Sequence, residues 1–137
     1  MSDTDDLPPL VPFLKRDGDT PYLAGSRCRK CDNLFVGDRA TCARCGSRGE
    51  MDTVRLSETG KLYVHTVVYR SFPGVATPFI DAIVDLDDGA HLRGTLTGID
   101  PDPDAIPYDL AVRVVYRAAT PANRPGVPYL TYMFEPL

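Results

Sequence analysis

The residues that could do chemistry by type and spacing are the four cysteines of the chain, Cys28, Cys31, Cys42 and Cys45. They form two C-x2-C pairs separated by ten residues. Each pair can place two thiolates about 2.3 Å from one zinc ion, and two pairs complete a tetrahedral shell with no open position for water. The spacing therefore predicts a structural Zn²⁺ site, not a catalytic one.

Other uses of the four cysteines fit the rest of the chain less well. Disulfides need an oxidising compartment, and residues 1–6 are acidic, without the apolar segment of a secretion signal. A redox C-x-x-C motif follows a strand of a βαβ unit and occurs once. Iron in the same ligand set stays open as an alternative, because soft thiolates accept both metals.

The composition predicts a soluble, cytoplasmic protein rich in short strands. The 137 residues are 43% hydrophobic and 25% charged. No apolar run approaches the roughly 18 residues of a membrane helix. Thirteen prolines and eleven glycines favour many turns over long helices.

The cysteines must be positioned by a small ribbon, which we place at residues 13–56. Residues 22–27 and 34–36 are its predicted strands, and Gly46 follows the last cysteine, where a tight turn favours a residue without Cβ. Residues 1–12 are acidic and contain prolines, which predicts a disordered or partner-docked tail.

The lead-in to the ribbon is less regular. Residues 13–25 show only a weak helical pattern, which Gly18 and Pro21 interrupt.

Residues 57–137 have the alternating, β-branched and aromatic pattern of an all-β domain. The predicted strands cover residues 61–70, 79–86, 90–97, 110–117 and 129–135. Asp87-Asp88-Gly89 predicts a hairpin turn, and a long proline-containing connection separates the third and fourth strands. The fold class is therefore mainly β, a four-cysteine zinc ribbon followed by a five-stranded OB-type barrel, with a small SH3-like barrel as the alternative.

Basic side chains concentrate on the predicted ribbon. Residues 27–55 hold seven basic and four acidic residues, whereas the rest of the chain holds eight basic and fifteen acidic ones. Among the basic residues, Arg29, Lys30, Arg44 and Arg48 could contact a phosphate-bearing ligand or an acidic partner. A solvated surface that balances the thiolates is the alternative interpretation.

Apolar side chains concentrate in the predicted barrel loops. Tyr69, Phe72 and Phe79 lie in or beside the loop after the first barrel strand, and Tyr108 and Val127 lie in later loops. Apolar loop residues can mark a docking face, and packing against the ribbon is the alternative.

No catalytic constellation is visible in the sequence. His65 and His91 are the only histidines, and each lies in a predicted strand without a nearby nucleophile. Glycine-rich phosphate-binding motifs and G-x-S-x-G are absent from the sequence. We therefore expect a protein that is not an enzyme on its own.

Five segments carry a resemblance to a known family: C-R-K-C at residues 28–31, C-A-R-C-G at 42–46, G-K-L-Y-V-H-T-V-V at 60–68, P-F-I-D-A-I-V-D-L-D-D-G at 78–89 and Y-M-F-E-P at 132–136. The chain resembles the acyl-CoA-associated zinc-ribbon/OB-fold family, formerly a domain of unknown function. The likeness covers residues 13–137. Two features depart from the family: its N-terminal helical hairpin is interrupted here, and Asp32 stands where a glycine often follows the first pair of cysteines.

The resemblance implies an accessory role. Members of that family partner thiolase-fold enzymes, including acyl-CoA thiolases and lipid-transfer-protein-like aldolases that cleave steroid side-chain CoA esters. By resemblance the four cysteines hold Zn²⁺, and the chain bridges subunits and assists acyl-CoA binding in steroid side-chain, lipid or aromatic catabolism. The candidate residues for CoA or partner contact are Arg29, Lys30, Arg44, Arg48, Tyr69, Phe72 and Phe79.

A single-stranded nucleic-acid-binding module is the alternative function. Zinc ribbons and OB barrels both bind single strands through basic grooves and stacked aromatic residues. The acidic balance outside the ribbon opposes binding of a polyanion, so this function is disfavoured.

Overall fold

The computed structural model describes residues 7–120, 126 and 128–137. Within them the strands are β1 (Leu14–Asp17), β2 (Thr20–Cys28), β3 (Leu34–Val36), β4 (Met51–Arg55), β5 (Thr59–Val68), β6 (Phe79–Leu86), β7 (His91–Leu96), β8 (Ala111–Ala119) and β9 (Tyr129–Pro136). One 3-10 turn covers Pro103–Ala105. No helix of these residues is long and apolar enough to cross a membrane.

β2 is the central strand of the ribbon, because β1, β3 and β4 all pair with it antiparallel. Its glycine allows this close packing. A Cβ on Gly25 would lie 2.5 Å from Cδ2 of Leu56 and 2.6 Å from the carbonyl oxygen of Phe35. The predicted strand at 34–36 is confirmed, and β2 extends the predicted strand at 22–27 by a residue or two at each end. β4 was not predicted.

The weak helical pattern of residues 13–25 is wrong, because these residues form the β1–β2 hairpin. Gly18 turns the chain with φ +61°, which is a conformation that favours glycine. Leu14 then lies opposite Leu23, and both side chains are buried. The hairpin forms in place of the short, interrupted helical pattern because the turn at Gly18 lets the two strands bury Leu14 and Leu23 together.

The second half of the chain forms a closed barrel in the order β5-β6-β7-β9-β8, with β8 returning to β5. All pairings are antiparallel except β7 with β9, which is parallel at Leu96 and Phe134. Five strands with this connectivity confirm the predicted OB-type barrel. The predicted strand at 79–86 matches β6 at both ends, and the other four agree to within two residues.

A β-bulge interrupts β5 at Tyr63. The register steps from Leu62 opposite Val84 to Val64 opposite Ile83, so Tyr63 has no counterpart on β6. An extra residue reverses which side chains face inward along the rest of a strand. His65 and Val67 therefore take the inward register, and Val64 points to the outer face.

The ribbon and the barrel share one hydrophobic core. Five of its largest fully buried side chains are in the barrel: Ile80, Val84, Val112, Leu130 and Phe134. Buried leucines of the ribbon join the same cluster. At the junction the rings of Phe13 and Tyr132 lie 5.7 Å apart.

Residues 8–10 run beside the start of β9. The Leu10 N–H donates to the Leu130 carbonyl at 2.8 Å, and the Leu130 N–H donates to the Pro8 carbonyl at 2.8 Å. These residues belong to the segment 1–12 that was expected to be a tail, of which residues 1–6 lie outside the described residues. Val127, one of the apolar loop candidates, also lies outside them.

Candidate metal centre

The four cysteines come together in space. All four Sγ atoms lie within 4.8 Å of one another. Sγ of Cys28 is 3.6 Å from that of Cys45, and Sγ of Cys31 is 3.5 Å from that of Cys42. A tetrahedral zinc with 2.3 Å bonds separates its sulfur ligands by roughly 3.8 Å. The cluster therefore fits a four-coordinate metal ion without rearrangement of the backbone.

The first pair of cysteines lies on a tight turn at the end of β2. The Asp32 N–H donates to the Cys28 carbonyl at 2.8 Å, and the Cys28 N–H donates to the Asn33 carbonyl at 2.9 Å. Asp32 closes the turn with φ +65°, which is uncommon for a residue with a side chain. The aspartate therefore occupies the strained position of this turn.

The second pair repeats the same turn. The Gly46 N–H donates to the Cys42 carbonyl at 2.9 Å, and the Cys42 N–H donates to the Ser47 carbonyl at 2.9 Å. Gly46 has φ +77°, so the predicted need for a residue without Cβ is confirmed. Two turns of equivalent geometry thus present their cysteines to a common centre.

The surroundings of Cys45 favour the thiolate, which is the form that binds metals. Its Sγ lies 3.1 Å from the hydroxyl of Ser47. Hydrogen bonds from the hydroxyl and the backbone amide of Ser47 lower the pKa of Cys45 to about 6. The Cys45 N–H also points toward Sγ of Cys42, at 3.5 Å. Cys28 and Cys42 are buried, whereas Cys45 is exposed.

The cysteine cluster is the only group of three or more histidine, cysteine or acidic side chains in residues 7–120, 126 and 128–137 that is close enough to hold a metal. The acidic connection between β7 and β8 has a different role. The carboxylate of Asp102 accepts a hydrogen bond from the Asp104 N–H at 3.0 Å and caps the 3-10 turn.

The candidate cations of the ribbon divide into two kinds. The guanidinium of Arg29 is 2.5 Å from the Asp52 carboxylate and 3.2 Å from that of Glu50, and these contacts raise the pKa of Arg29. Arg29 thus links the first turn to β4. Lys30 and Arg44 each lie between the two cysteines of a pair and are exposed, and neither has an ion-pair partner among the residues that the structure describes. Arg48, which follows the second pair, is also exposed and has no ion-pair partner among the described residues.

The aromatic candidates lie on the barrel, in the loop between β5 and β6 and at its end. Tyr69 is 62% exposed and Phe72 is 81% exposed, so neither is covered by the ribbon. Phe79 is half-buried as the first residue of β6. Sequence reasoning missed Val64 as a surface residue, because the bulge that exposes it leaves no mark except the consecutive apolar residues 62–64 in an alternating strand.

The outer face of β6 and β7 carries a histidine–carboxylate contact and an ion pair. The Asp85 carboxylate lies 2.6 Å from Nδ1 of His91, and the Asp81 carboxylate accepts from Nε of Arg93 at 3.1 Å. OB-folds bind oligonucleotides on the corresponding second and third strands. Here Asp81 neutralises Arg93, which weakens the case for a nucleic-acid interface.

Comparisons with known proteins agree with this architecture. A family model described as ChsH2, C-terminal OB-fold domain, matches residues 53–117. The benzoylsuccinyl-CoA thiolase subunit BbsA of Geobacter metallireducens is 33% identical over 127 residues, which are 93% of this chain and 83% of that protein. A DUF35 domain-containing scaffold protein of Methanothermobacter thermautotrophicus is 30% identical over 117 residues, 83% of this chain and 86% of that protein.

A solved structure extends the likeness to three dimensions. A chain of the Ltp2-ChsH2(DUF35) aldolase superposes with a TM-score of 0.66 at 29% sequence identity. The superposition covers 84% of this chain and 84% of that one, so it includes both the ribbon and the barrel.

Proposed function

The chain belongs to the DUF35 family of ChsH2-type OB-fold proteins, and from that premise we propose that it is a non-catalytic accessory subunit of a thiolase-fold enzyme acting on acyl-CoA esters. The observation that carries the proposal is the likeness to BbsA, a thiolase subunit, over 93% of this chain. The likeness to a chain of an aldolase complex supports the same class of partner.

The proposal includes one structural Zn²⁺ held by Cys28, Cys31, Cys42 and Cys45. The support is the near-tetrahedral spacing of the four sulfur atoms and the hydrogen bonds that favour a thiolate at Cys45. When bound, the metal would cross-link two turns. Four thiolates leave it no open position for a substrate. Residues 13–56 would then form the ribbon unit and residues 57–137 the barrel unit of a protein that works in the cytoplasm, where thiols stay reduced.

Contact with acyl-CoA or with an acidic patch of the partner is assigned to the free cations of the ribbon. Lys30, Arg44 and Arg48 are exposed and unpaired among the described residues, so their charges are available to phosphates. Tyr69 and Phe72 would contribute apolar contact from the barrel. Arg29 would act differently, because two carboxylates already hold it.

Co-expression tests the accessory role. Each thiolase-fold subunit of the source organism is produced with and without this chain, and soluble yield, complex mass and thiolytic or aldol-cleavage activity are measured. We expect one of them to form a stoichiometric complex and to lose yield or activity when the chain is omitted. A partner set that is equally stable and active alone would contradict the proposal.

Alanine substitutions then test the cations. Arg44→Ala and Arg48→Ala should leave the melting temperature of the free chain unchanged and raise the KM of the complex for acyl-CoA, by roughly three- to tenfold for each lost charge-assisted contact. Arg29→Ala is the contrasting variant, since it should lower the melting temperature of the ribbon. An unchanged KM in both Arg44 and Arg48 variants would remove CoA contact from the proposal and leave the accessory role intact.

A further inference from the structure

Part of one barrel strand has no neighbouring strand on one side within the described residues. β5 pairs with β8 only over residues 59–61, and the Leu62 N–H donates to the Leu110 carbonyl at 2.9 Å. On its other side β5 stays paired with β6 as far as Val68. The outer edge of residues 63–68, called the β5 edge below, has no strand partner in the part of the chain that the structure describes.

Several exposed apolar residues lie at the β5 edge or follow it in the chain. Tyr63 is 65% exposed and Val64 is 47% exposed, and together with Tyr108 they line a hollow of about 210 Å³. Tyr69 and Phe72 follow directly in the chain. Natural proteins protect open strand edges with charges, prolines or a covering segment. An edge that is instead lined with exposed apolar side chains is typical of a binding surface.

The bulge at Tyr63 extends this surface onto the sheet. It sets Val64 on the outer face, opposite the half-buried Ile83 of β6. A strand added at the β5 edge would therefore find main-chain partners along the edge and apolar side chains on the outer face. This combination is the geometry of β-strand addition, in which main-chain hydrogen bonds supply affinity and flanking side chains supply specificity.

Charge identifies the occupant. Lys61 and Arg70 flank the β5 edge, both are exposed, and neither has an ion-pair partner within the described residues. A second copy of this chain added antiparallel about the centre of the edge would bring Lys61 of one copy near Arg70 of the other, beside the position that β8 occupies, which is repulsive. A strand with apolar residues in its middle and carboxylates toward its ends is complementary instead.

We propose that the β5 edge receives one extended, acid-flanked segment of the thiolase-fold subunit as an additional strand. The inference rests on the proposed function, because it names the surface through which that partner is held. The occupant adds to β5 beyond Leu62, where the pairing of β5 with β8 has ended.

Amide hydrogen exchange of the full chain tests the main-chain pairing, free and in complex with the recombinant thiolase-fold subunit identified by co-expression. In the free chain, the amides of residues 64–68 that point away from β6 should exchange fast. In the complex they should slow by at least about tenfold, since each gains a strand hydrogen bond. Unchanged exchange of these amides in an intact complex would overturn the inference while the accessory role stands.

Charge reversal tests the complementarity. Lys61→Glu and Arg70→Glu should each weaken the complex by roughly tenfold, chiefly through slower association at low salt. Lys15→Glu is the charge control, because it makes the same change of charge on β1 of the ribbon; it also removes an exposed 3.4 Å ion pair with Asp38, and it should leave the affinity unchanged. Equal affinity of all three variants would contradict the proposed ends of the occupant.

Two further outcomes would show that the occupant is a second copy of the chain or that no thiolase-fold subunit binds. Concentration-dependent protection of residues 64–68 in the chain alone, with a dimer in sedimentation, would overturn the inference by making a second copy the occupant. Failure of every thiolase-fold subunit to bind would overturn the proposed function and the β5 edge together, whereas binding without edge protection overturns the edge alone.

Discussion

The cysteine turns and the barrel are stabilised by different means, the first by the proposed metal cross-link and the second by buried apolar side chains. From Arg29 to Glu50 only Leu34 and Cys42 are buried, and the other side chains are exposed or half-exposed. Along β6, by contrast, every second residue from Ile80 to Leu86 is buried. The barrel strands supply most of the apolar core, whereas the two cysteine turns bury too little surface to be stable without a cross-link.

The same difference in stabilisation is found within the ribbon. Its β1–β2 hairpin contributes Leu14 and Leu23 to the core that it shares with the barrel. Residues 28–50 contribute Leu34 as their one buried aliphatic side chain, and the half-buried Val36 packs against that core. The boundary between the two kinds of stabilisation therefore falls inside the ribbon, near Cys28, and not between ribbon and barrel.

Loss of one metal ligand should have the largest effect. Cys42→Ser should abolish metal binding and unfold the cysteine turns, because the metal-binding free energy of such sites, about 10–16 kcal/mol in isolated zinc fingers, is also folding free energy. The barrel should keep its far-ultraviolet signature. Mass spectrometry measures the metal content, and thermal melting measures the loss of stability.

Ala43→Ser is the control for that variant. It adds a hydroxyl to the exposed residue next to Cys42 without touching a ligand. It should retain full metal content and an unchanged melting temperature. A Cys42→Ser protein that melts like this control would show that the turns hold without a metal.

The next largest effect on stability should come from a cavity in the core of the barrel. Phe134 is fully buried at the closing strand, so Phe134→Ala should lower the free energy of unfolding by about 3–5 kcal/mol. Urea denaturation measures it. The metal content of the folded protein should stay at one equivalent, because the cysteine turns are not part of that core.

Tyr108→Ala gives the matched comparison, since Tyr108 is 95% exposed and its removal should change the free energy of unfolding by less than about 0.5 kcal/mol. Loss of metal from folded Phe134→Ala protein would mean that the two regions are more tightly coupled than their separate burial indicates.

The smallest effect concerns the two cysteine turns themselves. Asp32 and Gly46 occupy the same position with φ of +65° and +77°. Asp32→Gly should relieve the strain of a side chain in this conformation and stabilise the metal-bound protein by about 0.5–1 kcal/mol, while Gly46→Ala should destabilise it by a similar amount. The melting temperatures of the two variants, compared with that of the unmodified protein in the same buffer, measure the two changes in stability. A lower melting temperature for Asp32→Gly would show that the contacts of the Asp32 side chain with Arg27 outweigh the strain.

The sequence predicted the elements whose pattern is repeated over many residues. β6 carries four inward and four outward residues without interruption, so its limits followed from alternation alone. The cysteine cluster followed from spacing, because two C-x2-C pairs at this separation have few other uses.

The elements that sequence reasoning missed depend on tertiary contacts. β4 has no buried residue, and it is held as a strand by pairing with β2, from which the cysteine turns separate it in the chain. The bulge at Tyr63 depends on register with β6, which no single strand reveals. The difference between Arg29 and Arg44 is likewise spatial, since only the fold brings Glu50 and Asp52 to Arg29.

Two pairings that join distant parts of the chain set the order in which the molecule can fold. The parallel contact between β7 and β9 consists of Leu96 opposite Phe134, with the Thr97 N–H donating to the Phe134 carbonyl at 2.7 Å. The hairpins β5–β6 and β6–β7 join sequence neighbours, whereas the contact of Thr97 with Phe134 joins residues 37 positions apart, and the β5–β8 pairing joins residues still farther apart, such as Lys61 and Ala111. Because loop closure grows more costly with separation, closure of the barrel should be the late and rate-limiting event of folding, and slower closure should lengthen the time during which the edges of β7 and β9 are open to aggregation.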